Sequence, residues 1–306
     1  MVKSPLPVRD GLNPSRIRLP VTGPWATVAE HLLERFADDR VRVAEKIALG
    51  EVVDVDGSVI TASTPYQPDA FVFLYRDPAP ERRVPFEIEI LHRDDDLLVI
   101  DKPHFLATMP RGFYIVESAL VRLRRDLGIP ELSPAHRLDR VTAGVVVFTL
   151  RPEVRGAYQQ LFAHRQVVKE YEAVAAVDPR LEFPLTVRSR ILKERGTPTA
   201  REIPGEPNAE SWIDLLDVRP DTDGTGAIGR YRLRPHTGKT HQLRVHMNSL
   251  GVPIRNDHFY PELVEVDPYD YSTPLQLVAR SIEFTDPLSG RPRRFETQRR
   301  LSCWTA

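Results

Sequence analysis

The chain has 306 residues, 41% of them hydrophobic, with 42 Lys and Arg against 43 Asp and Glu and a net charge of −1. That is enough apolar material for one large core, or for a large domain with a small companion, and the near-neutral balance gives no global sign of a nucleic-acid partner. No apolar run approaches the roughly 18 residues of a membrane span, the first residues lack the apolar core of a secretory signal, and the single cysteine, Cys303, excludes an internal disulfide; we expect a cytoplasmic protein without membrane partners or a thiol metal cluster.

Residues 1–23 are rich in Pro and Arg, lack a clear period and are expected to form a tail. Residues 24–77 are expected to form a small domain. "ATVAEHLLERFA" repeats Val28, Leu32, Leu33 and Phe36 at helical spacing, with Thr27 or Pro24 as its start, and "VRVAEKIALGE" predicts a second short helix stopped near Gly50. "EVVDVDGSVIT" reads as strand, Asp56–Gly57 turn and strand, and "DAFVFLY" as a third strand. A Pro- and charge-rich linker is expected at 78–85.

The second domain is expected over 86–306. "FEIEILHRDDDLLVIDKP" alternates and then becomes a buried strand, Leu97 to Ile100, so that Asp94, Asp95 and Asp96 read as a solvated strand entrance. Helix patterns occupy "IVESALVRLRRDLG", "PEVRGAYQQLFAHR" and "THQLRVHMNSLG", the last ending at Gly251 and capped, on this reading, by Thr240. Strand patterns occupy "VVVFTL", "VVKEYEAVAAV", "SWIDLLDVRP", "IGRYRLRP" and "PLQLVARSIEFTDP". This order argues an α+β fold with a large central sheet.

Two stretches carry chemistry. In "HRLDRVTAGVVVFTL", His136 to Leu150, one carboxylate stands among three potential cations at the mouth of an apolar strand. Thr142-Ala143-Gly144 reads as a small turn, which places Asp139 on a loop before a rigid element; neighbouring arginines favour its ionised form, suited to a nucleophile or electrostatic stabiliser rather than a general acid. From Gly224 to Asn256 there is no Asp or Glu, but there are Arg230, Arg232, Arg234, Lys239, Arg244 and Arg255. Such a segment lines a basic cleft or is a face neutralised by acids from elsewhere. Its "HTGKT" lacks the first glycine of a phosphate-binding loop, which would fall at Leu233, and the five-residue spacing of His236, His241 and His246 does not suit zinc. Tyr171 shares a strand face with Lys169 and Ala173.

These segments, in this order, resemble the RluA-type pseudouridine synthases. The resemblance rests on "HRLDRVTAGVVVFTL", on "DDDLLVIDKPHFLATMP", on Lys169, Tyr171 and Ala173 of "VVKEYEAV", on "LRPHTGKTHQLRVHMNSLGVPIRND" and on "LQLVARSIEFTDPLSG", together covering roughly residues 86–296. It departs at Val141 and Ala143, where an acid and Ser are frequent, and at Asn256, where Gly is usual. The resemblance implies a mixed, mainly antiparallel sheet with flanking helices and a reaction that isomerises uridine in RNA to pseudouridine without cofactor or metal. It implies Asp139, Tyr171 and Arg244 as catalytic residues, with Arg244 in a bidentate pair with Asp139. For RNA binding and for holding an extruded uridine it implies His136, Arg137, Arg140, Thr142, Gly144, Lys169, Arg232, Lys239, Thr240, His241 and Gln242. The small domain resembles a degenerate S4-like RNA-binding module, best at Gly50, Val52, Val55 and Gly57, with several acids and few arginines on its helices. Ribosomal RNA is the favoured partner of a monomer, with transfer RNA as competitor. The other readings are a non-catalytic RNA-binding or ribosome-assembly factor and a glycosidase, which needs a second carboxylate.

Overall fold

The computed structural model describes residues 2–221 and 226–305. Gly224 and Thr225, at the start of the acid-free stretch, lie outside the described residues. The chain divides into two units, one ending at Glu81 and the other beginning at Arg82.

In the first unit, strand β1 (Ser15–Arg18) pairs antiparallel with β2 (Phe71–Leu74), and helices α1 (Val28–Arg35) and α2 (Arg40–Ala48) lie between them in sequence. Thr27 starts α1 through a capping box: its hydroxyl accepts the Glu30 N–H, and the Glu30 carboxylate accepts the Thr27 N–H. Ile17, Leu19, Leu32, Val52 and Val72 are among the residues of its core. The stretch expected as a tail is therefore partly structured; alternation of Ile17 and Leu19 with exposed Arg16 and Arg18 was hidden by the Pro- and Arg-rich composition around it. The two strands expected around Asp56–Gly57 reduce to a single bridge, Val53 to Val59. The Asp54 carboxylate accepts the N–H groups of Asp56 and Ser58, both at 2.9 Å, and so holds the chain in a turn instead of a ladder.

The second unit runs through β3 (Glu89–Arg93), β4 (Leu97–Lys102), α3 (Ala119–Leu127), β5 (Ser133–Pro134), β6 (Ala143–Thr149), α4 (Pro152–Ala163), β7 (Val168–Ala176), β8 (Leu185–Leu192), β9 (Arg201–Ile203), β10 (Ala209–Pro220), β11 (Ala227–Pro235), α5 (Gln242–Ser249), β12 (Leu277–Thr285), β13 (Pro292–Glu296) and α6 (Ser302–Thr305). Its sheet has eleven strands in the order β3-β4-β6-β12-β7-β11-β10-β8-β9, with β5 on β6 and β13 on β12. All pairings are antiparallel except that of β6 with β12. The α+β fold with a large, mainly antiparallel sheet is thus observed. Strands β8, β9 and β13 were not expected: their alternation is mixed with charged residues, and pairing with neighbours rather than local pattern defines them.

Strands β4 and β6 read as unbroken apolar runs because both of their faces are covered. Leu98, Ile100, Val146 and Phe148 pack with Leu120 and Leu123 of α3, while Leu97, Val99, Val145 and Val147 pack with Tyr158 and Leu161 of α4. Farther along the sheet, Leu243 and Met247 of α5 cover Ala173, Ala175, Tyr231 and Leu233.

The parallel contact between β6 and β12 is short, Ala143 to Val278 and Gly144 to Ala279. Gly144 has φ of +114°, and a Cβ there would stand 2.3 Å from the Ala279 carbonyl oxygen. The register places Lys102, Gly144, Ala279, Tyr171 and Leu233 abreast on five neighbouring strands. Gly144, expected in a flexible turn that contacts substrate, is instead a strand residue whose missing side chain lets two backbones close together. Gly144→Ala is expected to cost about 3 kcal/mol or more through strain and overlap, read as a lower urea midpoint; an unchanged midpoint would contradict the close approach.

Candidate functional site

Asp139 lies between β5 and β6 on a loop whose backbone is pinned residue by residue. Leu138 is buried in the core, and Thr108 brackets it: the Thr108 hydroxyl donates to the Leu138 carbonyl at 2.8 Å and accepts the Leu138 N–H at 3.1 Å. The Asp139 carbonyl accepts the Thr142 N–H at 3.1 Å, closing a tight turn. The Arg140 carbonyl accepts from the Lys102 ammonium at 3.3 Å, and the Val141 carbonyl from Nδ1 of His104 at 2.7 Å. Lys102 is fully buried and also donates to the carbonyls of Pro103 and Leu106; burial pushes its pKa well below that of a free lysine. Four consecutive carbonyls, 138 to 141, therefore have partners, and the Asp139 side chain is left 24% exposed. Lys102, His104 and Thr108 were not singled out as site residues; "DKPHFLATMP" was legible as a motif, but its clamping role depends on contacts some 35 residues along the chain.

Arg244, on α5, is buried, and its main partner differs from the expected one. Its Nε and Nη2 grip Asp257 at 2.7 and 2.5 Å, whereas Nη1 stands 3.7 Å from Oδ2 of Asp139. The Asp257 side chain is 0% exposed and also accepts the Phe259 N–H, and the Phe259 ring centroid lies 4.8 Å from the guanidinium. The bidentate pair is thus Arg244–Asp257, which leaves one edge of the fork facing Asp139. Burial opposes the Arg244 charge, but Asp257 outweighs it and holds the guanidinium more firmly protonated than usual. Asn256, standing where Gly is usual, has φ of +62°, a left-handed conformation that Asn tolerates, so the departure preserves the bend that delivers Asp257.

His241 places Nε2 3.9 Å from Asp139, while its Nδ1 meets the Tyr260 hydroxyl at 3.0 Å; burial lowers its pKa to about 4. It, rather than Thr240, occupies the cap of α5, at φ of +58°. Gln242 explains the shift: its Oε1 accepts from the Thr237 hydroxyl and the Lys239 N–H, and its Nε2 donates to the Glu210 carbonyl and the Ser211 hydroxyl. Gln242 therefore anchors the Thr237–Thr240 turn; it is buried, although its atoms still reach the cavity wall.

Asp139 stands where two cavities meet, of about 520 and 810 Å³, with Arg137, Thr240, His241 and Arg244 on both walls. The smaller is lined by Tyr171, Thr142, Lys169 and Lys239, and by Arg165, a cation not anticipated from the sequence; Asp139 is its one acidic lining residue among the described residues. Burial, and then the nearby Asp139, raises the Tyr171 pKa, so its phenol stays protonated at neutral pH. Lys169 donates to the Thr237 carbonyl at 3.2 Å, and burial lowers its pKa. Arg140 turns toward the larger cavity.

Two expected contacts with substrate, Arg232 and Gly144, are not brought to the cavity, and a third, His136, lines the smaller cavity as an uncharged ring. His136 is stacked on Phe162 at 4.5 Å and its Nε2 accepts the Val147 N–H; burial lowers its pKa to about 3, so it presents no charge to a phosphate. Arg232 lies on the opposite sheet face, 3.5 Å from Glu170, because strand alternation turns it away from Tyr231 and Leu233. Gly144 is closed against Ala279. Among the described residues, no three His, Cys, Asp or Glu side chains converge as a metal-binding group, and no helix is long and apolar enough to cross a membrane.

A family described as RNA pseudouridylate synthase matches residues 96–249, just over half of the chain. The dual-specificity RNA pseudouridine synthase RluA of Salmonella typhi is 30% identical over 221 residues, covering 68% of this chain and 91% of the relative. An RNA pseudouridine synthase of Synechocystis is 28% identical over 219 residues, covering 71% and 72%. Among solved structures, human RNA pseudouridylate synthase domain containing 4 superposes with a TM-score of 0.50 at 26% identity, covering 69% of this chain and 88% of that one. Human RNA pseudouridylate synthase domain containing 1, at 23% identity, shares the fold with a TM-score of 0.56, covering 72% and 86%.

Removing the Asp257 charge strands a buried guanidinium, so Asp257→Asn is expected to lower unfolding free energy by about 3 kcal/mol in urea titrations; no loss would contradict the pairing. The histidines give a pH dependence. Unfolded histidine titrates near 6.5, whereas His136 resists protonation to about 3 and His104 and His241 to about 4. Between those values the unfolded chain binds more protons, so their contribution is complete above about pH 6.5 and is lost as pH falls toward about 4 for His104 and His241 and about 3 for His136. The urea midpoint should fall over that window, and less steeply in His136→Gln; equal slopes would rule out His136 as a contributor.

Proposed function

The chain belongs to the RNA pseudouridylate synthase family, in its RluA-type branch, and on that premise we propose that it isomerises particular uridines of structured RNA through Asp139, with ribosomal RNA as its first substrate. As a pseudouridine synthase it is an isomerase. The N1–C1′ bond breaks, uracil turns, C5 joins C1′, the C5 proton leaves and N1 regains a proton, so the reaction's own balance calls for no co-reactant.

One observation carries the assignment of roles: a part-exposed Asp139 carboxylate faces, at 3.7 Å, a buried guanidinium already fixed by Asp257, on the wall of a cavity that Tyr171 shares. The smaller cavity, about 520 Å³, falls in the usual range for small-molecule sites and has room for one extruded nucleotide. Asp139 acts on the ribose or the base. Attack on C1′, attack on C6 of uracil and removal of the C2′ proton all use a single ionised carboxylate, and Arg244 steadies the negative charge in each. Tyr171, protonated at neutral pH, serves as a stacking face and as the hydrogen-bond donor and proton-transfer group of the cavity. The uridine must leave its stack to reach a loop-borne carboxylate, which costs least in a loop or bulge. Arg137, Arg165, Lys169 and Lys239 line the cavity as phosphate partners.

The resemblance of the first unit to an S4-like module supports ribosomal RNA. The name of the Salmonella relative describes dual specificity, which supports more than one kind of RNA substrate, and transfer RNA is the alternative we retain. Tritium release from RNA labelled at uridine C5 tests the chemistry. Asp139→Asn should abolish release while RNA affinity stays within about twofold; Tyr171→Phe should lower kcat by roughly 10²–10⁴, the range for a lost proton-transfer group, with little change in KM. Full release by Asp139→Asn would end the assignment. Mapping pseudouridine in cellular RNA with and without the protein identifies the substrate.

A further inference from the structure

The larger cavity has a feature that the uridine chemistry leaves unused. Arg111 to Tyr114 form a tight turn: the Arg111 N–H donates to the Tyr114 carbonyl at 2.8 Å, and the Tyr114 N–H donates back to the Arg111 carbonyl at 3.1 Å. Gly112, at φ of +59°, supplies the left-handed step that a two-residue turn needs. Phe113 is at the apex and is 93% exposed, more than any other large hydrophobic side chain among the described residues. Leaving a phenyl ring in water forfeits the stabilisation of burial, and the backbone bonds on either side hold the turn that presents it.

The turn is also tied to the catalytic loop. The Arg140 guanidinium lies 4.7 Å from the Tyr114 ring centroid and 5.9 Å from that of Phe105, and it donates to the Phe105 carbonyl. Arg140 follows Asp139 directly, so one side chain joins the carboxylate's loop to the turn that presents Phe113. On the wall of this cavity Arg111, Arg137, Arg140, Lys193 and Arg195 outnumber Asp139 and Glu194. A polyanion that carries flat, exposed rings matches both features, and single-stranded RNA is such a polymer.

We propose that Phe113 is a stacking platform for an unpaired base beside the target uridine, holding the strand in place once the uridine has left its own stack. This rests on the RNA-isomerase reading and adds the residue that positions the strand; it acts on binding rather than on the chemical step. Any of the four bases has a face to offer, so the platform contributes affinity and register with little sequence preference.

The test uses the full chain carrying Asp139→Asn, which holds RNA without turnover. The probe is an RNA stem-loop with a uridine next to 2-aminopurine in its single-stranded loop. With Phe113 present, binding should quench 2-aminopurine fluorescence. Phe113→Ala should lose most of the quench and raise Kd roughly 5- to 100-fold, the range for loss of a base–aromatic stack. Phe113→Trp should restore both, whereas Phe113→Leu, apolar but without a ring, should not restore the quench. Because Phe113 is exposed, these variants should keep the parent's unfolding midpoint. Binding and quench unchanged in Phe113→Ala, or a parent that does not bind the probe, overturns the platform. So does a variant altered only in self-association, which would assign the ring to a protein contact. Tritium release by the active enzyme separates the two ideas: release with a Phe113-independent KM fails the platform alone, and a Phe113-dependent quench without release from any RNA fails the isomerase reading alone.

Discussion

The site depends on how closely β6 approaches β12. That contact is only two residue pairs long, and at Gly144 it leaves no space for a β-carbon. The approach sets Lys102, Gly144, Ala279 and Tyr171 abreast, so that the clamp on the Asp139 loop and the tyrosine of the cavity wall lie on one line across the sheet. The aspartate follows a loop rather than a strand, yet its position is as determined as a strand residue's, because the carbonyls on both sides of it are occupied. Rigidity beneath a part-exposed carboxylate is what pre-organised electrostatics requires.

Arg244 shows how a charge can be held ready for a partner without being neutralised by it. Asp257 takes both nitrogens of one fork edge and meets the cost of burial, leaving Nη1 turned to Asp139 at a distance beyond a direct hydrogen bond. A bidentate pair with Asp139 itself would have occupied both oxygens of that carboxylate and closed it to any other partner. His136 and His241 are kept neutral by burial, so of the two side chains that face Asp139 within 4 Å, His241 and Arg244, the guanidinium is the charged one.

Much of this was legible in the sequence. The α+β order, the strand that follows Asp139 and the convergence of Asp139, Tyr171 and Arg244 could be read from local pattern and ordered motifs. What escaped reading depends on partners distant in sequence. Asp257 is unremarkable until Arg244 is seen beside it, and Lys102 and His104 look like strand-end residues until they meet the carbonyls of Arg140 and Val141. The charge of the segment near Arg232 was correct as composition but not as geometry: a strand spends alternate residues on opposite faces, and composition is blind to that. Residues 1–23 illustrate the reverse error, a strand concealed by flanking composition.

The same alternation divides the labour along β7 and β11. Tyr171 and Lys169 point to the cavity, while Arg230, Arg232, Arg234 and Arg280 on the other side are laced to Glu170 and Glu172. On the rear of the sheet four guanidiniums therefore share two carboxylates, so the pairing moderates the positive charge of that face without cancelling it. Losing either glutamate would deprive two guanidiniums at once of their carboxylate, while the residues on the cavity side of the same strands stay in place.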